Sequence, residues 1–84
     1  MNIDNIKTIF NEKKEVHFKL YSLDYTIKED NGKILVYADL YDNKKESYNT
    51  IDEALNYFTI YNESIIQNQN RIMNIQWYIY RVVI

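Results

Sequence analysis

The sequence predicts an α+β fold: a single small domain over residues 1–84, with an antiparallel meander of three to four strands and helices packed on one of its faces. Three observations carry that prediction. The apolar period changes from helical to alternating at Val16, Asn31-Gly32 marks a two-residue hairpin turn, and Thr50 with Glu53 marks a helix start.

The first element is a helix. Ile3, Ile6, Ile9 and Phe10 fall on one side at helical spacing, Asn2 is its candidate cap, and the charged run NEKKE ends the pattern. From Val16 the period becomes two. Val16, Phe18 and Leu20 alternate with His17, Lys19 and Tyr21, and the segment LDYTIKEDNGKILVYADLY continues in the same way.

A type I′ turn needs positive φ at both central residues, which Asn31 and Gly32 tolerate best. Counting outward from them sets Ile27 against Val36, Tyr25 against Ala38 and Asp24 against Asp39. With Ser22-Leu23 as the preceding turn, Leu20 would face Tyr25, Phe18 would face Ile27, and His17 would face Lys28 on the outer side. A short fourth strand is expected at the segment SYN after the polar loop DNKKE. Thr50 and Glu53 form a capping-box pattern, and Ile51, Ala54, Leu55 and Phe58 give the second helix an apolar side.

Residues 62–84 predict a C-terminal apolar helix or tail used for packing or oligomerisation. With Asn62 as cap, Gln67, Asn74, Tyr78 and Arg81 form a polar stripe opposite two apolar rows, so a third helix is expected through about Gln76. For the remainder, WYIYRVVI, the aromatic and β-branched content leaves strand and helix both open.

Composition removes several kinds of chemistry. The chain has no cysteine, one glycine and one histidine, so a thiol nucleophile, a thiolate metal site and a glycine-rich phosphate loop are all excluded. No catalytic, cofactor-binding or metal-ligating residue is assigned, and the domain reads as non-enzymatic. His17 is expected at the surface, since a general base needs an orienting partner and none is evident. With 46% hydrophobic residues, 26% charged residues and a net charge of -2, the chain has the balance of a globular protein. No stretch reaches the roughly 20 apolar residues of a membrane span, and MNIDNIKTIF lacks the apolar core of a signal peptide, so a cytoplasmic setting is expected.

The functional expectation is a protein-binding module, an acidic regulator or inhibitor of a basic, nucleic-acid-handling partner. Its acidic end comprises Asp24, Asp39, Asp42 and Glu46, with Asp52 and Glu53 nearby in sequence. Self-association is expected through Met73, Trp77, Tyr80, Arg81 and Ile84, residue types enriched in interface cores, and a homodimer follows from it. The alternative is single-stranded nucleic-acid binding on the outer sheet face by His17, Lys19, Lys28, Lys33 and Tyr37, where basic and aromatic residues interleave. The acidic start of the second helix and the negative net charge oppose that alternative.

Overall fold

A computed structural model of the chain describes residues 2–78. Helix α1 (Asn2–Lys13) leads into β1 (Glu15–Leu20), β2 (Leu23–Asp30) and β3 (Lys33–Ala38). A 3-10 turn at Asp39–Tyr41 precedes β4 (Glu46–Tyr48) and helix α2 (Ile51–Tyr57). The chain then makes a small hairpin of β5 (Thr59–Ile60) and β6 (Glu63–Ser64), a second 3-10 turn at Gln69–Arg71, and β7 (Met73–Gln76). β1, β2, β3, β4 and β7 form one five-stranded antiparallel sheet in the order β4-β3-β2-β1-β7.

The inner face of this sheet is the core. Val16, Phe18, Leu20, Tyr25, Ile27, Ile34 and Val36 are buried there, against Ile6 and Phe10 of α1 and Ala54 and Leu55 of α2. Lys7 on α1 reaches Asp52 on α2 at 2.8 Å, an exposed pair that joins the helices and raises the Lys7 pKa through the hydrogen bond and the charge of Asp52. No helix among the described residues is long and apolar enough to cross a membrane.

The Asn31-Gly32 turn is as expected, with φ of 51° and 80°, and it fixes Ile27↔Val36 and Tyr25↔Ala38. The first hairpin differs by two residues. Its turn is Tyr21-Ser22, both at positive φ, and Leu20 faces Leu23, Phe18 faces Tyr25 and His17 faces Thr26, not Lys28. A slip of two leaves every side chain on its expected face. What favours this register is contact: Phe18 stacks on Tyr25 at 5.5 Å, and the Tyr21 hydroxyl donates to Asn68.

Thr50 caps α2, accepting from the Glu53 amide at 3.1 Å. Asn2 is not a cap: it lies within α1, and its amide donates to the carbonyls of Gln69 and Ile72. At the other end of α1, Lys14 adopts φ 60° and its N–H bonds the Phe10 carbonyl at 2.8 Å, a left-handed termination without glycine.

The expected third helix is absent between residues 62 and 78. Ser64 and Gln67 do close one turn reciprocally, Ser64 N–H to Gln67 Oε1 at 2.8 Å and Gln67 N–H to Ser64 Oγ at 3.0 Å. It does not propagate as an α-helix: the Asn68 N–H reaches the Ser64 carbonyl at 3.1 Å and the Ile65 carbonyl at 3.0 Å, and the next bonds, Gln69 to Ile66 and Arg71 to Asn68, run three residues back, while the buried Asn68 side chain shares the Ser64 carbonyl. Beyond it, β1 offers an open edge whose backbone groups need partners, and β7 supplies them, which makes five strands where three or four were expected. One extra residue in β7 between Met73 and Gln76 forms a bulge, with Asn74 at φ 55°.

Two turn substitutions of opposite sign test this backbone. A Cβ on Gly32 meets nothing within 4 Å, so Gly32→Ala costs only the strain of positive φ, about 1 kcal/mol by urea unfolding. Ser22→Gly, which relieves φ 65°, raises stability by about 0.5 kcal/mol.

Candidate functional site

Three turns meet at one pole of the molecule: Tyr21-Ser22, the 3-10 turn Asp39–Tyr41, and Tyr61-Asn62 between β5 and β6. The Tyr21 and Tyr61 rings pack edge to face at 5.0 Å. Asn68, fully buried, accepts from the Tyr21 hydroxyl at 2.8 Å and donates to the Ser64 carbonyl at 2.9 Å. Below the turns opens a cleft of about 360 Å³. Leu23, Tyr25, Ala38, Phe58 and Ile60 form its largely apolar lining, and Tyr41, Tyr61, Thr59, Lys44 and Glu46 complete it.

Large apolar side chains are exposed around this cleft. Tyr21, Leu40, Tyr41 and Tyr61 belong to the pole, with Leu40 72% and Tyr61 75% exposed. Leu23 also walls a second groove, lined with Ser22, Asp24, Asp39 and Leu40, so an apolar cleft and an acidic groove share one side chain. Phe58, Ile60, Tyr61 and Asn68 were not among the expected site residues. Their signal is slight: Tyr61-Asn62 is a turn pair only if a tyrosine accepts positive φ, and Ser64-x-x-Gln67 marks a turn closure.

The expected acidic end is divided. Asp24 and Asp39 line the same groove but are not cross-strand partners, because β2–β3 pairing stops at Tyr25↔Ala38 and Asp39 enters a 3-10 turn. Asp24 lies 3.9 Å from Lys19, and both side chains are open to water. Glu46 lines the apolar cleft and accepts from the Tyr48 hydroxyl, while Asp42 follows the 3-10 turn. Asp52 is paired with Lys7, and Glu53 belongs to the α2 cap.

His17 is not at the surface. It is 4% exposed, in a row across the outer face: Nε2 lies 2.6 Å from Glu15 Oε2, and Nδ1 lies 2.8 Å from Thr26 Oγ1. Thr26, also buried, donates its hydroxyl proton to Asp39, so it accepts from His17 at Nδ1. The row ties β1, β2 and the Asp39 turn together and leaves the hydroxyl out of reach of a substrate. The expectation of an exposed histidine overlooked both the polar neighbours that the true register places beside it and the fifth strand, whose Gln76 faces it.

Of the alternative nucleic-acid face, Lys28 and Tyr37 do come together, with Lys28 5.9 Å and Lys45 5.0 Å from the ring centroid. Lys33 donates to Asn49, and Lys19 sits by Asp24. At the other edge of the sheet Met73 and Trp77 are exposed, with Lys13 5.0 Å from the Trp77 ring and Tyr78 edge-on to it. Tyr80, Arg81 and Ile84 lie outside the described residues. No group of three or more His, Asp or Glu side chains able to hold a metal occurs among the described residues.

Comparison of the chain with protein-family models, with curated proteins and with solved structures gives no match in any of the three.

Beside the cleft, burial first and then the charge and hydrogen bond of Glu46 push the Tyr48 hydroxyl up to about 12. Burial likewise raises Tyr25. The folded chain therefore keeps the Tyr48 proton at pH values where the unfolded chain, near 10.0, has lost it. That contribution is fully present below pH 10.0 and disappears as pH rises toward about 12. Urea midpoints measured across this interval should fall for the native chain and fall less steeply for Tyr48→Phe.

Proposed function

We propose that this protein is a protein-binding module that docks its partner at the pole formed by the three turns. The observation that carries the reading is the gathering of exposed side chains at one apolar cleft: Tyr41 and Tyr61 line it, Tyr21 packs on Tyr61, and Leu40 walls the adjoining groove. Exposed single apolar residues are ordinary on a monomer; an aromatic-rich group around a concavity is the composition of an interface centre. Tyrosine supplies large contact area at little entropic cost, because only two torsions are fixed on binding.

Asp24, Asp39 and Glu46 give the pole an acidic character that suits a basic partner, as expected of a regulator or inhibitor of a nucleic-acid-handling protein in the cytoplasm. Self-association through Met73 and Trp77 would use the β7 edge of the sheet, where both are exposed and where Met73 pairs with Lys19 near the Tyr21 turn. Nucleic-acid binding is the weaker reading. The net charge is -2, and the Tyr37 ring on which a base would stack already has Lys28 and Lys45 beside it.

Affinity capture with the intact chain as bait tests the docking pole. Leu40→Glu with Tyr41→Glu, two exposed changes in the 3-10 turn, should abolish capture of partners that the native chain retains, with thermal unfolding little altered. A partner profile identical for both baits would refute the assignment. Partners that survive the double change but are lost on Trp77→Ala would move the interface to the C-terminal edge.

A further inference from the structure

We infer that the apolar cleft and the acidic groove beside it act as one docking site, for a protein segment that presents a bulky apolar side chain next to a cationic one. This rests on the protein-binding reading above and adds to it the chemistry of the partner. The cleft, at about 360 Å³, is in the size range of ligand pockets, roughly 300–1,000 Å³, and takes a side chain rather than a folded surface. Leu23, Ala38, Phe58 and Ile60 make most of its wall apolar, with the Tyr25 hydroxyl and Thr59 as neutral polar groups, so a phenyl, leucyl or isoleucyl group is what it desolvates favourably.

The cation follows from the charges on the same wall. Leu23 separates the cleft from the groove of Asp24 and Asp39, so a group beside the anchor meets carboxylates. One Asp39 oxygen is held by Thr26, which fixes the carboxylate in place before any ligand arrives. Among the described residues, neither Asp39 nor Glu46 forms an ion pair with a lysine or arginine. Asp24 has Lys19 at 3.9 Å with both side chains exposed, a contact that an incoming ammonium or guanidinium can replace at little cost. An anionic segment would gain the same apolar contact but would be repelled by these carboxylates; among the described residues Lys44 is the one cation lining the cleft.

The rim is also built before binding. Tyr61 is held against Tyr21, whose hydroxyl is bonded to buried Asn68, so the aromatic wall needs little ordering when a ligand enters.

Two probes with the same phenyl anchor and oppositely charged heads separate the parts of this inference: 4-phenylbutylammonium and 4-phenylbutyrate, titrated into the uniformly ¹⁵N-labelled full chain and followed by amide chemical shifts. The ammonium compound should shift Leu23, Ala38, Tyr41 and Ile60, and bind about fivefold more tightly than the carboxylate. Asp24→Asn, an exposed change, should reduce that preference while leaving the shifted residues the same. Equal affinities would overturn the cationic part, and absence of shifts at the cleft with either probe would overturn the anchor. Both failures are distinct from failure of the docking pole itself, which is read by capture with the Leu40→Glu and Tyr41→Glu bait.

Discussion

The amide of Asn68 is the constraint on which the second half of the structure depends. It is fully buried, so each of its polar atoms must be bonded inside the protein or cost about 1–3 kcal/mol. Its oxygen accepts from Tyr21, in the first hairpin turn, and its nitrogen donates to the carbonyl of Ser64, at the end of β6. One side chain thus joins a turn in the sheet to a hairpin outside it, across 47 residues of sequence. Asn2 does the same from α1, bonding the carbonyls of Gln69 and Ile72. Held at both places, the chain leaves Ile72 directed along the open edge of β1, and β7 forms.

That arrangement explains why unfavourable backbone conformations persist. Tyr21, Ser22, Tyr61 and Asn62 all have positive φ, at about 1–2 kcal/mol for a residue with a Cβ. The cost is offset by placement: the two tyrosines meet edge to face, and the residues following each turn, Leu23 and Glu63, begin strands in register. Glycine in either tyrosine position would relax the backbone and remove the ring. A rigid aromatic rim over an apolar cleft is the structural product, and rigidity lowers the entropic cost of recognising another chain.

What could be read from the sequence was local. Asn31-Gly32, Thr50 with Glu53, and the alternation from Val16 to Ala38 each rest on neighbours within a few residues, and each is present in the fold. The acidic residues were also visible, but their grouping depended on where β3 ends, and Asp39 leaves the strand before it can face Asp24. The first hairpin was misplaced by two residues because a tyrosine at positive φ is unfavourable on local grounds, and the contacts that offset it, Tyr61 and Asn68, lie far along the chain. The segment from residue 62 to 76 reads as a helix since Gln67 and Asn74 continue a polar stripe opposite the apolar rows begun by Ile72 with Ile75 and by Met73 with Trp77, a spacing that does not report what the chain meets in space. Periodicity reports which residues are apolar, and it carries no trace of the distant partners this segment meets in the fold, Tyr21 for Asn68 and the open edge of β1 for β7. The fate of His17 followed partly from the same error, for Thr26 became its cross-strand neighbour only in the true register, while Glu15 lies two residues away on the same face of β1.

The link from Asn68 to the docking pole is most directly tested by hydrogen–deuterium exchange of the native chain beside Asn68→Ala. The account predicts faster exchange in β5, β6, β7 and the Tyr21-Ser22 turn, with the amides of the β2–β3 pairing still protected. Unchanged protection from Thr59 to Gln76, or uniform loss across the whole sheet, would contradict the claim that this one buried amide organises the aromatic pole and the closing strand.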